Sequence, residues 1–429
     1  MGNLRHPLAK NDFFLPLDNN AVFIASTTGK KAPYFFRISC ELNEIIHLPH
    51  LKEALEQVAP RYPSFLTHLC PGMFWYYLDS IKKPLKIQAD TRFPVEYLKI
   101  QRWNRYLFRV RVYGSRIACE FHHVLTDGTG AIEFLRSLVA TYLTLRGVTC
   151  ENWQDIKRPG TIPDPLEYED AYAGLIRKDI PLPPPLVPAY RLTGPRYKEP
   201  MYRITTGTMS VGQALQVSRL KGVSLTALLG AVHLWALQSV LEESSSGPYK
   251  PLTIEIPVNM RKYHPSPTLR NFYLLVPCIV DRRLGHFDFS EILECVQHEL
   301  KLGLQRKELD RQIKRNVAGE ANFFARLVPL FIKTPVLRLV SRLVSNRFYS
   351  GSLSNLQNVK MPSEFISHIQ RFDFIPPRNS GSGASIGIIS WEDTLSVTVG
   401  SLVVDRSFER AFFTCCSDLG LSVRIESNL

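Results

Sequence analysis

The seven residues His122-His123-Val124-Leu125-Thr126-Asp127-Gly128 put two imidazoles, a carboxylate and a turn-forming glycine into one short span, groups suited to proton transfer. The run before them alternates in character. Arg116, Ala118 and Glu120 share one face of a strand, and Ile117, Cys119 and Phe121 share the other. Carried forward, that period of two places His122 with the polar set and His123 with the apolar set. His123 then points into the protein from a strand end, where burial keeps an imidazole neutral and basic. Asp127-Gly128 supplies a turn, and residues 130–139 read as the helix that follows it. By themselves these residues leave two readings open, a general base and a core histidine satisfied by its surroundings. A metal site is not expected, because neighbouring strand residues face opposite ways and no HExxH or paired CxxC string accompanies them.

Elements able to position this corner flank it on both sides. Residues 34–40, 74–78 and 105–112 read as strands, and residues 50–58 as an amphipathic helix ended by Pro60. The helix after the motif extends to about Arg146. Composition then shifts to Pro181-Leu182-Pro183-Pro184-Pro185-Leu186-Val187-Pro188, continuing through Pro195 and Pro200, which cannot be helical and suits an extended connector. A chain of 429 residues exceeds a usual single core. The expected division is therefore 1–180, a linker over 181–200, and 201–429. Beyond the linker, Val211 to Lys221 reads as a helix ended by Gly222. Ser224 caps a second helix over Leu225 to Val240, apolar nearly all round and so buried. Residues 252–258 and 273–280 read as strands.

Composition narrows the function classes. An apolar share of 45% and a charged share of 21% are those of an ordinary soluble globular protein. The eight cysteines show no disulfide-framework spacing and mostly sit in apolar runs, as reduced core cysteines do. No signal-like apolar stretch opens the chain and no apolar run is long enough to span a bilayer, so a cytoplasmic protein is expected. The net charge of +13 favours anionic partners, or simply aids solubility. Without zinc-finger spacing, an RNA-binding aromatic motif or a helix-turn-helix signal, nucleic acid is not expected. Residues 323–344 interleave Phe324, Leu327, Phe331, Val336 and Leu339 with Arg326, Lys333, Arg338 and Arg342. Such a basic amphipathic element either packs on its own domain, lies peripherally on a membrane, or collects a lipophilic acceptor. Ser380-Gly381-Ser382-Gly383 is a flexible-loop signal with no chemistry of its own.

The string from His122 to Gly128 resembles the HHxxxDG motif of the CoA-dependent acyltransferase superfamily. That superfamily includes chloramphenicol acetyltransferase, nonribosomal peptide condensation domains, polyketide-associated acyltransferases and alcohol acetyltransferases. The chain is most similar to bacterial alcohol acetyltransferase-like members, from about Phe13 to Ile425. Pro257-Val258-Asn259-Met260-Arg261, followed by Arg270-Asn271-Phe272, resembles the element that opens the superfamily's second half. Gly351-Ser352-Leu353-Ser354-Asn355-Leu356-Gln357-Asn358-Val359 resembles its Ser-Asn-Leu-Gly crossover segment, with Gln357 where glycine is usual. The motif of the plant branch is absent.

The resemblance implies an α/β fold, an α+β sandwich of two pseudo-symmetric chloramphenicol-acetyltransferase-like domains with the active-site tunnel between them. It implies His123 as general base and Arg261 as partner of a structural Asp127. Physically, a buried Asp127 needs a cation and hydrogen bonds, which a guanidinium fork supplies, although Arg261 also reads as a surface residue after a strand. His122, Gly128, Ser354 and Asn355 fall at the substrate-binding wall, and Ser354 or Asn355 could donate to an oxyanion. The implied substrates are acetyl-CoA or another acyl-CoA and an alcohol, with no bound cofactor and no metal. Three alternatives remain: an acyl carrier protein as donor, an amine or glycolipid as acceptor, and a non-catalytic member that binds a lipid or a partner.

Overall fold

Strand periodicity in the first half yields β1 (Phe14–Pro16), α1 (Asn19–Thr27), β2 (Phe35–Leu42), α2 (Leu48–Val58), β3 (Thr67–Pro71) and β4 (Tyr76–Ser80). After them come β5 (Ile87–Ala89), β6 (Phe108–Tyr113), β7 (Arg116–His122) and α3 (Gly128–Leu145). The second half begins with β8 (Arg203–Ser210), α4 (Val211–Leu220), α5 (Leu225–Glu243), β9 (Leu252–Asn259), β10 (Tyr273–Val280), α6 (Phe289–Gly303) and α7 (Arg306–Ala321). It ends with α8 (Leu330–Leu343), β11 (Gly351–Asn358), β12 (Ile369–Ile375), β13 (Ala384–Trp391), β14 (Thr394–Ser401), α9 (Ser407–Asp418) and β15 (Arg424–Ser427). The structure is a computed structural model and describes residues 14–175, 177, 179–243, 250–321, 327–343, 347–378 and 383–429. The expected glycine-rich loop at 380–382 and the segments 323–326 and 344 lie outside the described residues.

The architecture is α/β, as expected. A five-stranded sheet has the order β12-β2-β7-β6-β5, and a seven-stranded sheet the order β10-β9-β11-β13-β14-β8-β15. A small third sheet, β1-β4-β3, stands beside the first. The first sheet is not made from the first half alone, since β12 pairs antiparallel with β2, Phe372 opposite Cys40. At that crossing a Cβ on Gly387 of β13 would come within 2.5 Å of the Phe374 carbonyl oxygen, so glycine is required there. The first core likewise takes in Phe365, Phe372 and Trp391 from beyond residue 360.

The proline-rich span 181–200 contains no helix and no strand, yet it is not a loose tether. Ala189 and Tyr190 donate backbone hydrogen bonds to Arg347 and Pro251, and Tyr190 and Leu192 are buried in the second core. Helix α5 runs three residues past its expected end. It is long and apolar enough to cross a membrane by length and composition, and here Leu228, Leu229, Val232, Leu234 and Leu237 are buried in the second core. All eight cysteines are free thiols.

Both faces of β7 are buried, which alternation alone does not show. Glu120, on the polar face, is fully buried and receives Arg37, Arg109 and Arg111. Burial would raise its pKa, but the three guanidiniums outweigh burial and hold it at about 2.

Candidate active site

His123 sits one residue beyond β7, where its N–H donates to the Tyr34 carbonyl at 3.0 Å and continues the pairing with β2. Its ring packs against Phe36, 4.5 Å between centroids, and faces Tyr273 at 6.1 Å. It lines a cavity of about 1160 Å³ walled by both large sheets, by α3 and by α8. Nδ1 is buried with no hydrogen-bond partner, which leaves Nε2 as the nitrogen available to a ligand. Burial lowers the His123 pKa to about 4, against the opposing pull of the Asp127 carboxylate, the Asn271 side chain and the Thr126 backbone. The imidazole is therefore neutral, with a free lone pair, at every pH above about 5.

His122 does not reach the cavity, contrary to its expected place at the substrate-binding wall. Its side chain is fully buried on the opposite face of β7, edge-on to Phe35. The Val124 N–H donates to its Nδ1 at 3.1 Å, so the proton sits on Nε2. That nitrogen donates to Thr28 Oγ1 at 3.2 Å, while the Thr28 hydroxyl donates onward to the Ile24 carbonyl at 2.6 Å. Burial, with His123 alongside, pushes the His122 pKa well below the usual imidazole range. Its work is to tie the strand end to α1.

Asp127 is the N-cap of α3, with its Oδ1 accepting the Thr129 and Gly130 N–H groups. Its Oδ2 accepts Arg261 Nη1 at 2.8 Å and the Phe272 N–H at 2.9 Å. The structure thus brings Asp127 and Arg261 together across the two halves of the chain. Arg261 also grips the Thr268 and Arg270 carbonyls and Asn259 Oδ1, so every arm of its fork is engaged. This closes the loop 262–271 and presents Asn271, whose amide donates to the His123 carbonyl at 2.7 Å and to Asp18. Burial raises Asp18 to about 6, with Arg270 pulling the other way.

Gly128 and Thr129 open α3 at the cavity wall, turning the positive end of that helix toward the cavity. A Cβ on Gly128 would lie 2.3 Å from the end of the Leu356 side chain, which would have to shift to admit it. Ser354 and Asn355 lie on β11, where the segment resembling the crossover element pairs in parallel with β9 and β13 as a strand. The Asn355 amide is committed, donating to Thr226 Oγ1 and accepting the Gln357 N–H. The Ser354 hydroxyl lines the cavity and has no hydrogen-bond partner among the described residues. Gln357 has φ +65°, the left-handed conformation that favours glycine, and the β11–β13 register breaks there.

Helix α8 forms part of the cavity wall through Ile332, Lys333, Val336 and Leu337. Phe331, Val336, Leu339 and Val340 on this helix are exposed apolar side chains, so its apolar face is shared between cavity and surface. Its two described cations are engaged, Lys333 over the Trp75 ring at 3.7 Å and Arg338 on the Ser26 carbonyl. Away from the cavity, His68, Cys70 and Asp79 on the β3–β4 hairpin have donor atoms within 4.8 Å of one another, the one group among the described residues with metal-competent spacing.

Asn271, Thr126 and Tyr273 are the corner residues that were not assigned a role from sequence. Asn271 stood inside the quoted Arg270-Asn271-Phe272 element, whereas nothing local marks Tyr273 or Thr126, whose hydroxyl donates to the Leu269 carbonyl at 2.6 Å.

No protein-family model matches the chain, and no curated protein matches it by sequence. Solved structures do. Polyketide synthase associated protein 5 from Mycobacterium tuberculosis is 14% identical with a TM-score of 0.61, covering 94% of this chain and 98% of its own. Trichothecene 15-O-acetyltransferase from Fusarium sporotrichioides is 10% identical with a TM-score of 0.60, covering 95% of each chain. The epimerization domain from the third module of tyrocidine synthetase B is 11% identical with a TM-score of 0.62, covering 95% of this chain and 96% of its own. A condensation domain from a polyketide synthase also matches, at a TM-score of 0.56. The chain shares the fold of these structures along nearly its whole length.

Proposed function

We propose that this protein is an acyltransferase that moves an acyl group from a thioester to a hydroxyl, with acetyl-CoA and an alcohol as the expected pair. One observation carries the reading: a neutral imidazole, its pKa lowered to about 4 by burial, lines a large cavity of a fold shared with acyltransferases. His123 Nε2 takes the proton of the acceptor hydroxyl as the oxygen attacks the thioester carbonyl. The tetrahedral intermediate then collapses, the C–S bond breaks, and the imidazolium returns the proton to the departing thiolate. The Ser354 hydroxyl, which lines the cavity without a partner among the described residues, is the group available to a developing oxyanion. Asp127 and Arg261 act at one remove, by fixing the turn that aims His123. The fold is shared with condensation domains as well as acetyltransferases, so a carrier-bound donor is the second reading.

The test follows free thiol release from acetyl-CoA with pooled alcohols and identifies the esters by mass, with a carrier-loaded acetyl group in a parallel arm. His123→Ala should lower turnover by about 10²–10⁴-fold, the usual contribution of a general base. Near-wild-type ester formation by His123→Ala would overturn the proposal.

A further inference from the structure

Glu255 has no part in the proton transfer assigned to His123, yet it lines the same cavity. It lies on β9 on the same face as Pro257 and Asn259, which line the cavity with it. Among the described residues it makes no hydrogen bond and no ion pair. Three phenols share that cavity with it. Tyr34, Tyr273 and Tyr349 all line the cavity, and each is held protonated by burial reinforced by the Glu255 charge. Across the sheet its neighbour is Ser352 on β11, then Ser385 on β13, both at the cavity wall. No cation pairs with Glu255 among the described residues. Arg136 pairs with Glu133 and Asp155, Lys333 rests on Trp75, and Arg378, on the wall of the same cavity, leaves its Nε buried without a partner.

A carboxylate largely removed from solvent is costly unless a cation meets it, and burial alone pushes Glu255 up to about 7. A carboxylate that shares a cavity with electron-rich phenol rings suits an organic cation. We infer that Glu255, with Tyr34, Tyr273 and Tyr349, binds a positively charged nitrogen, an alkylammonium group, on the molecule that receives the acyl group at His123. This rests on the acyl-transfer reading for the role of the bound molecule, but not for the binding itself.

Geometry separates the recognised nitrogen from the reacting atom. Glu255 is four residues along β9 from Asn259, about 13 Å at strand spacing. Asn259 in turn donates to Thr129, two residues from Asp127. The nitrogen stays protonated at Glu255, and a hydroxyl elsewhere on the same molecule is the nucleophile. Tyr273, 6.1 Å from the His123 ring, lines the same cavity as both.

The test is calorimetric titration of n-octylammonium against 1-octanol, without any acyl donor, at pH 6 and pH 8. Wild type should prefer octylammonium by about tenfold or more at pH 8, the scale of a charge-assisted contact. The preference should shrink at pH 6, because Glu255 takes up a proton while the ammonium keeps its charge. Glu255→Gln should bind both probes alike with octanol affinity unchanged, and should fold normally since it removes an uncompensated charge. His123→Ala should keep the full preference, so a failure of the catalytic reading leaves this result standing. Equal or undetectable binding of the two probes to wild type at pH 8, or a preference that survives Glu255→Gln, overturns the inference.

Discussion

Asp127→Asn separates a residue that builds the corner from one that works on substrate, because Asp127 both lines the cavity and joins the two halves. The carboxylate accepts four donors, two at each oxygen: Thr129 and Gly130 N–H at Oδ1, Arg261 Nη1 and Phe272 N–H at Oδ2. An Asn amide keeps one acceptor. If its oxygen stays on the helix cap, its NH2 group meets two donors and the Arg261 guanidinium loses its carboxylate. The pair is nearly buried, 7% and 11% exposed, so solvent screening relieves little of the loss. Removing one partner of such a pair costs about 3–5 kcal/mol. Unfolding entropy of about 2.1 cal/mol/K per residue over 429 residues gives about 0.9 kcal/mol/K, and hence a fall in Tm of about 3–6 °C.

The assay is thermal unfolding of Asp127→Asn, Arg261→Met and the double variant, alongside their rates of acyl transfer. The two single losses should not add, since the second removes a partner already stranded by the first, and the coupling should reach about 1–3 kcal/mol. Acyl transfer should fall by about 100-fold in either single variant, the effect of a misplaced base. An Asp127→Asn protein that melts with wild type while losing all activity would refute the structural role and put Asp127 on the substrate.

Two further outcomes follow from the same geometry. His122, His123 and His233 are all buried and held below the usual imidazole range, His233 at about 3. The unfolded chain takes up their protons below pH 6.5 and the folded chain does not, so stability should fall as pH drops from 6.5 towards 4. His233→Leu should reduce that slope by about 1.4 kcal/mol per pH unit in urea unfolding, and an unchanged slope would refute the assignment. Glycine substitutions should also rank in order: a Cβ on Gly130 would lie 2.3 Å from the Leu269 main-chain oxygen, whereas one on Gly128 meets only the movable Leu356 side chain. Gly130→Ala should therefore melt lower than Gly128→Ala, by about 1–3 kcal/mol of overpacking, and equal melting would show that the Leu269 backbone yields.

What could be read from sequence at this corner depended on where each residue finds its partners. Period-two alternation is a property of neighbours, so the opposite facing of His122 and His123 was legible from Arg116 onward. The burial of the polar face was not, because Glu120 is compensated by Arg37, 83 positions away, and by Arg109 and Arg111 on a second strand. Arg261 and Asp127 could be paired only through the resemblance, since 134 positions separate them. Gln357 shows a local rule overridden: the resemblance marked the position as one for glycine, and the backbone does take φ +65° there. A non-glycine residue costs about 1–2 kcal/mol in that conformation, and the Gln357 N–H bond to Asn355 Oδ1 offsets part of it. Glu255 is the opposite case. Within Leu252-Thr253-Ile254-Glu255-Ile256 it reads as the outward, solvated position of an ordinary strand. Only β11, α7 and α8, arriving from fifty to a hundred residues later, put it at a cavity wall instead of in solvent. A charge that looks solvated in sequence and turns out to line a cavity is where the fold departs from its local pattern, and such departures concentrate at functional sites.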